Sequence, residues 1–127
     1  MIDVNKQVAF WRDSSLEDWD VARDLVKKGR TRHGLFFAHL TLEKLLKALV
    51  VRRTNDLAPR IHNLVRLAQL ADAELIEAQV DTLAEMNAFN LEGRYPEFLT
   101  PPPDKAEAKV YMKKAEEIRT WLMSLLS

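Results

Sequence analysis

The segment Leu35-Phe36-Phe37-Ala38-His39-Leu40-Thr41-Leu42-Glu43-Lys44-Leu45-Leu46-Lys47-Ala48-Leu49-Val50 decides the fold class. Leu35, His39, Leu42, Leu46 and Leu49 recur at helical intervals, so one face of an α-helix collects them. Phe36, Phe37, Leu45 and Val50 widen that face, which predicts the most buried helix of the chain. The pattern extends from about Thr31 to Arg53. Glu43 and Lys47 stand one turn apart, and His39 lies one turn before Glu43 on the same line. Two readings of this trio are open. It is either a surface salt bridge beside a partly buried His, or a set of polar groups that serves a site.

Upstream, Val4, Val8, Trp11, Ser15, Trp19, Ala22 and Leu25 (or Val26) share one face, predicting a helix from about Val4 to Lys28. Ser14 and Glu17 resemble a capping box that would start it later, but the apolar stripe continues upstream of them. Gly29 fits the residue after the helix end. Downstream, Thr54 to Pro59 reads as a loop. A short helix is expected over about Ile61–Ala71, and a fourth over roughly Asp72–Leu91 with a seam of Ile76, Val80 and Leu83. Glu92 to Pro103 holds four of the five prolines and reads as a loop. Asp104 can cap a last helix reaching about Leu126, with Tyr111, Ala115, Ile118, Leu122 and Leu125 as its seam. The expected fold is all-α, an up-and-down bundle of four to five helices in one domain over residues 1–127.

Composition agrees with that reading. The 127 residues are 47% hydrophobic and 30% charged, with only three Gly, which disfavours a turn-rich sheet fold. There is no Cys, which removes disulfides and thiolate chemistry and fits a reducing, cytoplasmic setting. Met1 to Lys6 carries no apolar signal core, and no apolar run approaches the ~20 residues of a membrane span. The net charge is zero, so bulk attraction to nucleic acid or an anionic membrane is not expected. Charge is nevertheless uneven. From Glu43 to Arg66 six basic residues meet two acids, a net of +4, whereas Asp72 to Glu92 carries six acids and no Lys or Arg. Three His with no paired His on a helix turn give little basis for a metal site, and no cofactor is expected.

Four motifs fall in an order that resembles the HEPN family (higher eukaryotes and prokaryotes nucleotide-binding domain). The first is Glu43-Lys44 followed by Lys47-Ala48, preceded by a helix with Trp19, Ala22, Leu25 and then Gly29. His62-Asn63-Leu64 comes next, then Phe89-Asn90, then Arg94-Tyr95-Pro96. The resemblance covers nearly the whole chain. It implies a helical bundle, a homodimer, and pairing with a minimal nucleotidyltransferase in a toxin–antitoxin-like system. It also implies a capacity to bind a nucleotide or RNA. Tyr95 and Tyr111 would be the phenol acceptors if such a partner modified this chain.

Many members of the wider superfamily are metal-independent RNases that use an Arg and a His with four to six residues between them. Here the last His is His62, so no later Arg completes the pair. Arg32 and His39 have the spacing, but they lie on the second helix, two turns or about 10 Å apart. The expectation is therefore an interaction module rather than an enzyme. A toxin-like RNase built on Arg94, His62 or His39 is the alternative. The candidate ligand- or partner-binding residues are Glu43, Lys44, Lys47, His62, Asn87, Asn90, Arg94 and Tyr95. Asn87 and Asn90 extend an apolar seam, where polar groups need partners or line a site. His62 is read as either a helix-capping group or a ligand-facing side chain. The Arg94 loop is read as either structural or phosphate-holding.

Overall fold

A computed structural model describes residues 2–94 and 101–126, the side chains of 91–94 excepted. Five helices follow one another: α1 (Val4–Lys27), α2 (Thr31–Thr54), α3 (Leu64–Leu70), α4 (Glu77–Arg94) and α5 (Lys105–Leu125). No strand occurs among the described residues.

Local chemistry sets the helix ends. The Asp3 side chain accepts the Lys6 N–H and starts α1 at Val4, so the helix takes its longer form and ignores Ser14. Its C-terminus closes with Gly29 at φ +83°, the Gly29 N–H on the Val26 carbonyl and the Arg30 N–H on the Leu25 carbonyl. These two hydrogen bonds form a Schellman closure, and the left-handed backbone explains the Gly. At α5, Asp104 and Glu107 cap each other's backbone N–H groups reciprocally.

Contacts between the helices give the topology. Lys47 lies over Trp11, Lys44 reaches Asp18, and Gly34 lies against Ala22 and Val26, so α1 and α2 run antiparallel. Arg53 pairs with Asp72 before α4, which also runs back along α2. Thr31 donates to the Pro103 carbonyl and Arg52 donates to that of Leu125, so α5 runs parallel to α2. The result is an up-and-down bundle in which α2 alone packs against all four other helices. Its Leu35, Leu42, Leu45, Leu46 and Val51 are wholly buried.

Two expectations change. Helix α4 begins at Glu77 rather than near Asp72, because Asp72 takes a left-handed φ of 52° that ends α3 and turns the chain. Ile76 therefore precedes the helix and is 66% exposed, and the α4 core is Leu83, Met86 and Phe89. The helix also runs on to Arg94, into the stretch read as loop.

Gly34 marks the closest approach of α1 and α2. A Cβ there would meet Val26 Cγ2 at 2.4 Å and the Ala22 carbonyl oxygen at 3.1 Å. Alanine favours a helix over glycine by about 1 kcal/mol, but overpacking costs about 1–3 kcal/mol. Gly34→Ala is expected to lower stability by a net of up to ~2 kcal/mol in urea unfolding.

Candidate functional site

The middle of α2 carries a carboxylate into the core. Glu43 is 4% exposed, since the four other helices all pack against α2. A buried carboxylate is costly unless paired and hydrogen-bonded. Lys47 Nζ, one turn on and almost as buried, donates to Glu43 Oε2 at 3.0 Å. The same ammonium lies 5.2 Å from the centre of the Trp11 ring, so α1 supplies its second stabilising contact. The pair is thus a core feature rather than a surface bridge.

The second partner of Glu43 arrives from the loop before α3. His62 Nδ1 lies 3.1 Å from Oε1 and 3.2 Å from Oε2 of the same carboxylate. An ionised carboxylate only accepts, so Nδ1 carries the hydrogen. The His62 side chain is about half exposed (51%), with Glu43 holding its inner edge. This is the arrangement in which a carboxylate fixes an imidazole's tautomer and orientation and leaves Nε2 as the acceptor. His62 does not cap α3. Asn63 does, accepting the Arg66 N–H at 3.1 Å. Asn87 from α4 completes the junction. Its Oδ1 accepts the Leu64 N–H at 2.9 Å, and its Nδ2 donates to Asn63 Oδ1 at 3.3 Å.

Below this junction lies His39, wholly buried, with Nδ1 3.7 Å from Glu43 Oε1. Neither ring nitrogen meets hydrogen-bond geometry with a described residue. Burial pushes the imidazole down to about 4, and the Glu43 carboxylate, the Asn87 amide and the His62 backbone oppose that only in part. His39 is therefore neutral at neutral pH. It is also closed to solvent, so Arg32 and His39 cannot act together on an external substrate.

The structure thus brings Glu43, Lys47, His62 and Asn87 into one contiguous set. Lys44 lies elsewhere, bound to Asp18 Oδ2 at 2.6 Å and to Ser14 Oγ at 2.7 Å on the α1 side. Asn90 is buried. Arg94 ends α4 two turns beyond Asn87 on the same helical line. Its side chain and the whole of Tyr95 lie outside the described residues. Sequence reasoning missed Trp11 as the cover of Lys47 and Asn63 as the α3 cap. The Asn63 cap had a local signal, an Asn directly before an apolar helical run. Among the described residues no three His, Asp or Glu groups gather in metal-holding geometry.

The unfolded chain takes up a proton on His39 near pH 6.5, but the folded chain does so only near 4. Its contribution to stability is therefore complete above pH 6.5 and declines as pH falls toward 4. The shift corresponds to a few kcal/mol at most, about 1.4 per unit. Urea unfolding of wild type and His39→Gln across pH 4–7 is expected to show a steeper acid loss in wild type.

Comparison with known proteins agrees with the arrangement of the helices. The fold is similar to the crystal structure of TT1696 from Thermus thermophilus, with a TM-score of 0.79 and 18% identity. That likeness covers 93% of this chain and 97% of the other. Comparison with curated proteins returns no match. A family model for the HEPN domain matches residues 8–125, nearly the whole length, and the chain belongs to the HEPN domain family.

Proposed function

We propose that this chain is a dimeric HEPN interaction module that binds a minimal nucleotidyltransferase and meets a nucleotide at the His62 site. The observation that carries this reading is the pairing of buried Glu43 with half-exposed His62. The fold places a charge in its core and uses it to present one imidazole at the surface. Arg60 and Arg66, both exposed, flank that histidine in the chain and suit a phosphate-bearing ligand. Arg94, at the end of the α4 line that carries Asn87, is a further candidate for that phosphate.

Burial of His39 weighs against the RNase alternative on α2, because an acid–base group must reach its substrate. An RNase reading is left only with His62, which Glu43 orients as a general base would need. Tyr111 is a poor acceptor for nucleotidyl transfer. It is half-buried against Phe89, and burial and then Glu85 raise its phenol above the ordinary range, which disfavours the phenolate.

The test is co-expression with the nucleotidyltransferase encoded nearest to this chain, followed by light scattering and ATP titration. A dimer that retains the transferase is expected, with ATP affinity falling about tenfold or more in His62→Ala and Glu43→Gln. Total RNA incubated with the chain in EDTA should stay intact. Cleavage abolished by His62→Ala would establish the RNase instead. A monomer that holds neither transferase nor ATP would refute the module.

A further inference from the structure

Helix α5 buries one face and leaves a patterned stripe on the other. Ala108, Ala115, Ile118 and Leu122 face the bundle. Val110, Lys114, Glu117 and Trp121 lie outward, all exposed, with Val110 at 52% and Trp121 at 41%. Large apolar groups at two ends of an exposed helical line are an unpartnered face.

The stripe is complementary to its own reverse. Its spacings are four, three and four residues, so it is symmetric about the point between Ala115 and Glu116. An antiparallel copy centred there sets Val110 against the copy's Trp121 and Lys114 against the copy's Glu117, each contact made twice. Apolar meets apolar at both ends, and opposite charges meet in the middle. The spacing is that of any helical line, but the order of residue types, apolar at both ends with opposite charges between, is self-complementary, as an isologous two-fold contact requires. From it, and resting on the dimer reading above, we infer that the outward face of α5 is the surface on which a second copy of this chain docks, helix against antiparallel helix.

Neighbouring features extend the surface. A groove of about 400 Å³ beside α5 has Lys114 and Glu117 on its α5 wall and Ile76, Asp81, Thr82 and Glu85 on the other. Ile76, the most exposed of the large apolar side chains among the described residues, thus flanks the stripe. The line Phe10, Ser14, Glu17 and Val21 on α1 lacks the charge match, and its half-buried Ser14 is already taken by Lys44. Reversing it sets Glu17 against Ser14 among Asp13 and Asp20, so like charges crowd together. A helix pair with these flanks sits at the small end of stable interfaces, which suits a dissociation constant on the order of micromolar.

Sedimentation equilibrium of the full chain tests this surface. Trp121→Glu is expected to weaken the dimer about tenfold or more, with helical content by circular dichroism unchanged, whereas Phe10→Glu leaves the dimer intact. The charge pair gives a second, independent readout. Lys114→Glu and Glu117→Lys should each weaken self-association, because each opposes like charges twice. An equimolar mixture of the two variants should restore it, since every contact is then complementary. A wild-type dimer indifferent to all of these changes would overturn the α5 surface and leave the dimer reading standing. A wild-type monomer at ~100 µM, well above the expected constant, would overturn both. If that monomer loses the nucleotidyltransferase on Trp121→Glu, the face belongs to the partner and not to a second copy.

Discussion

The charge of Glu43 in the middle of α2 constrains the rest of the molecule. Leaving it unpaired would cost several kcal/mol, a large fraction of the stability of a small domain. Two cations or donors must therefore be delivered to it from different parts of the chain. Lys47 comes from one turn along the same helix, and His62 from the loop before α3. Because His62 must reach inward, the backbone at Asn63 and Leu64 is set next to α4, where Asn87 receives it. One carboxylate thereby fixes the entry of α3, the seat of α4 and the cover of Lys47 by Trp11.

The same interaction joins fold to function. A bundle held by leucines alone has no reason to orient a surface imidazole. Here the core charge does so, and the polar layer from His39 to His62 becomes graded. Its inner histidine is neutral and sealed, and its outer one is half exposed and held at one edge. Only the outer group is in a position to meet a ligand. The opposite flank of α2 uses Lys44 for an ordinary tie to α1. Two adjacent residues of one motif thus serve different ends, and the helical repeat explains why, since they point about 100° apart.

Much of this was legible in the sequence. The five helices follow from apolar periodicity, and Asp104 and Gly29 carried their cap signals. The requirement that Asn87 find a partner followed from its place on an apolar seam. What escaped was tertiary. The i,i+4 spacing of Glu43 and Lys47 is the same on a surface as in a core, so it could not reveal their burial. The contact between His62 and Glu43 spans 19 residues of chain and leaves no periodic trace. The start of α4 was expected near Asp72, but the left-handed backbone there makes a turn, which side-chain periodicity does not report. Ile76 accordingly left the core seam for the surface.

The most direct measurement is nitrogen-15 NMR of the His62 ring, read as the tautomer of the neutral imidazole. Pairing with a core carboxylate requires the hydrogen on Nδ1, with Nε2 bare. That tautomer is expected in wild type and should be lost in Glu43→Gln. A His62 ring carrying its hydrogen on Nε2, indifferent to Glu43, would contradict the organisation described.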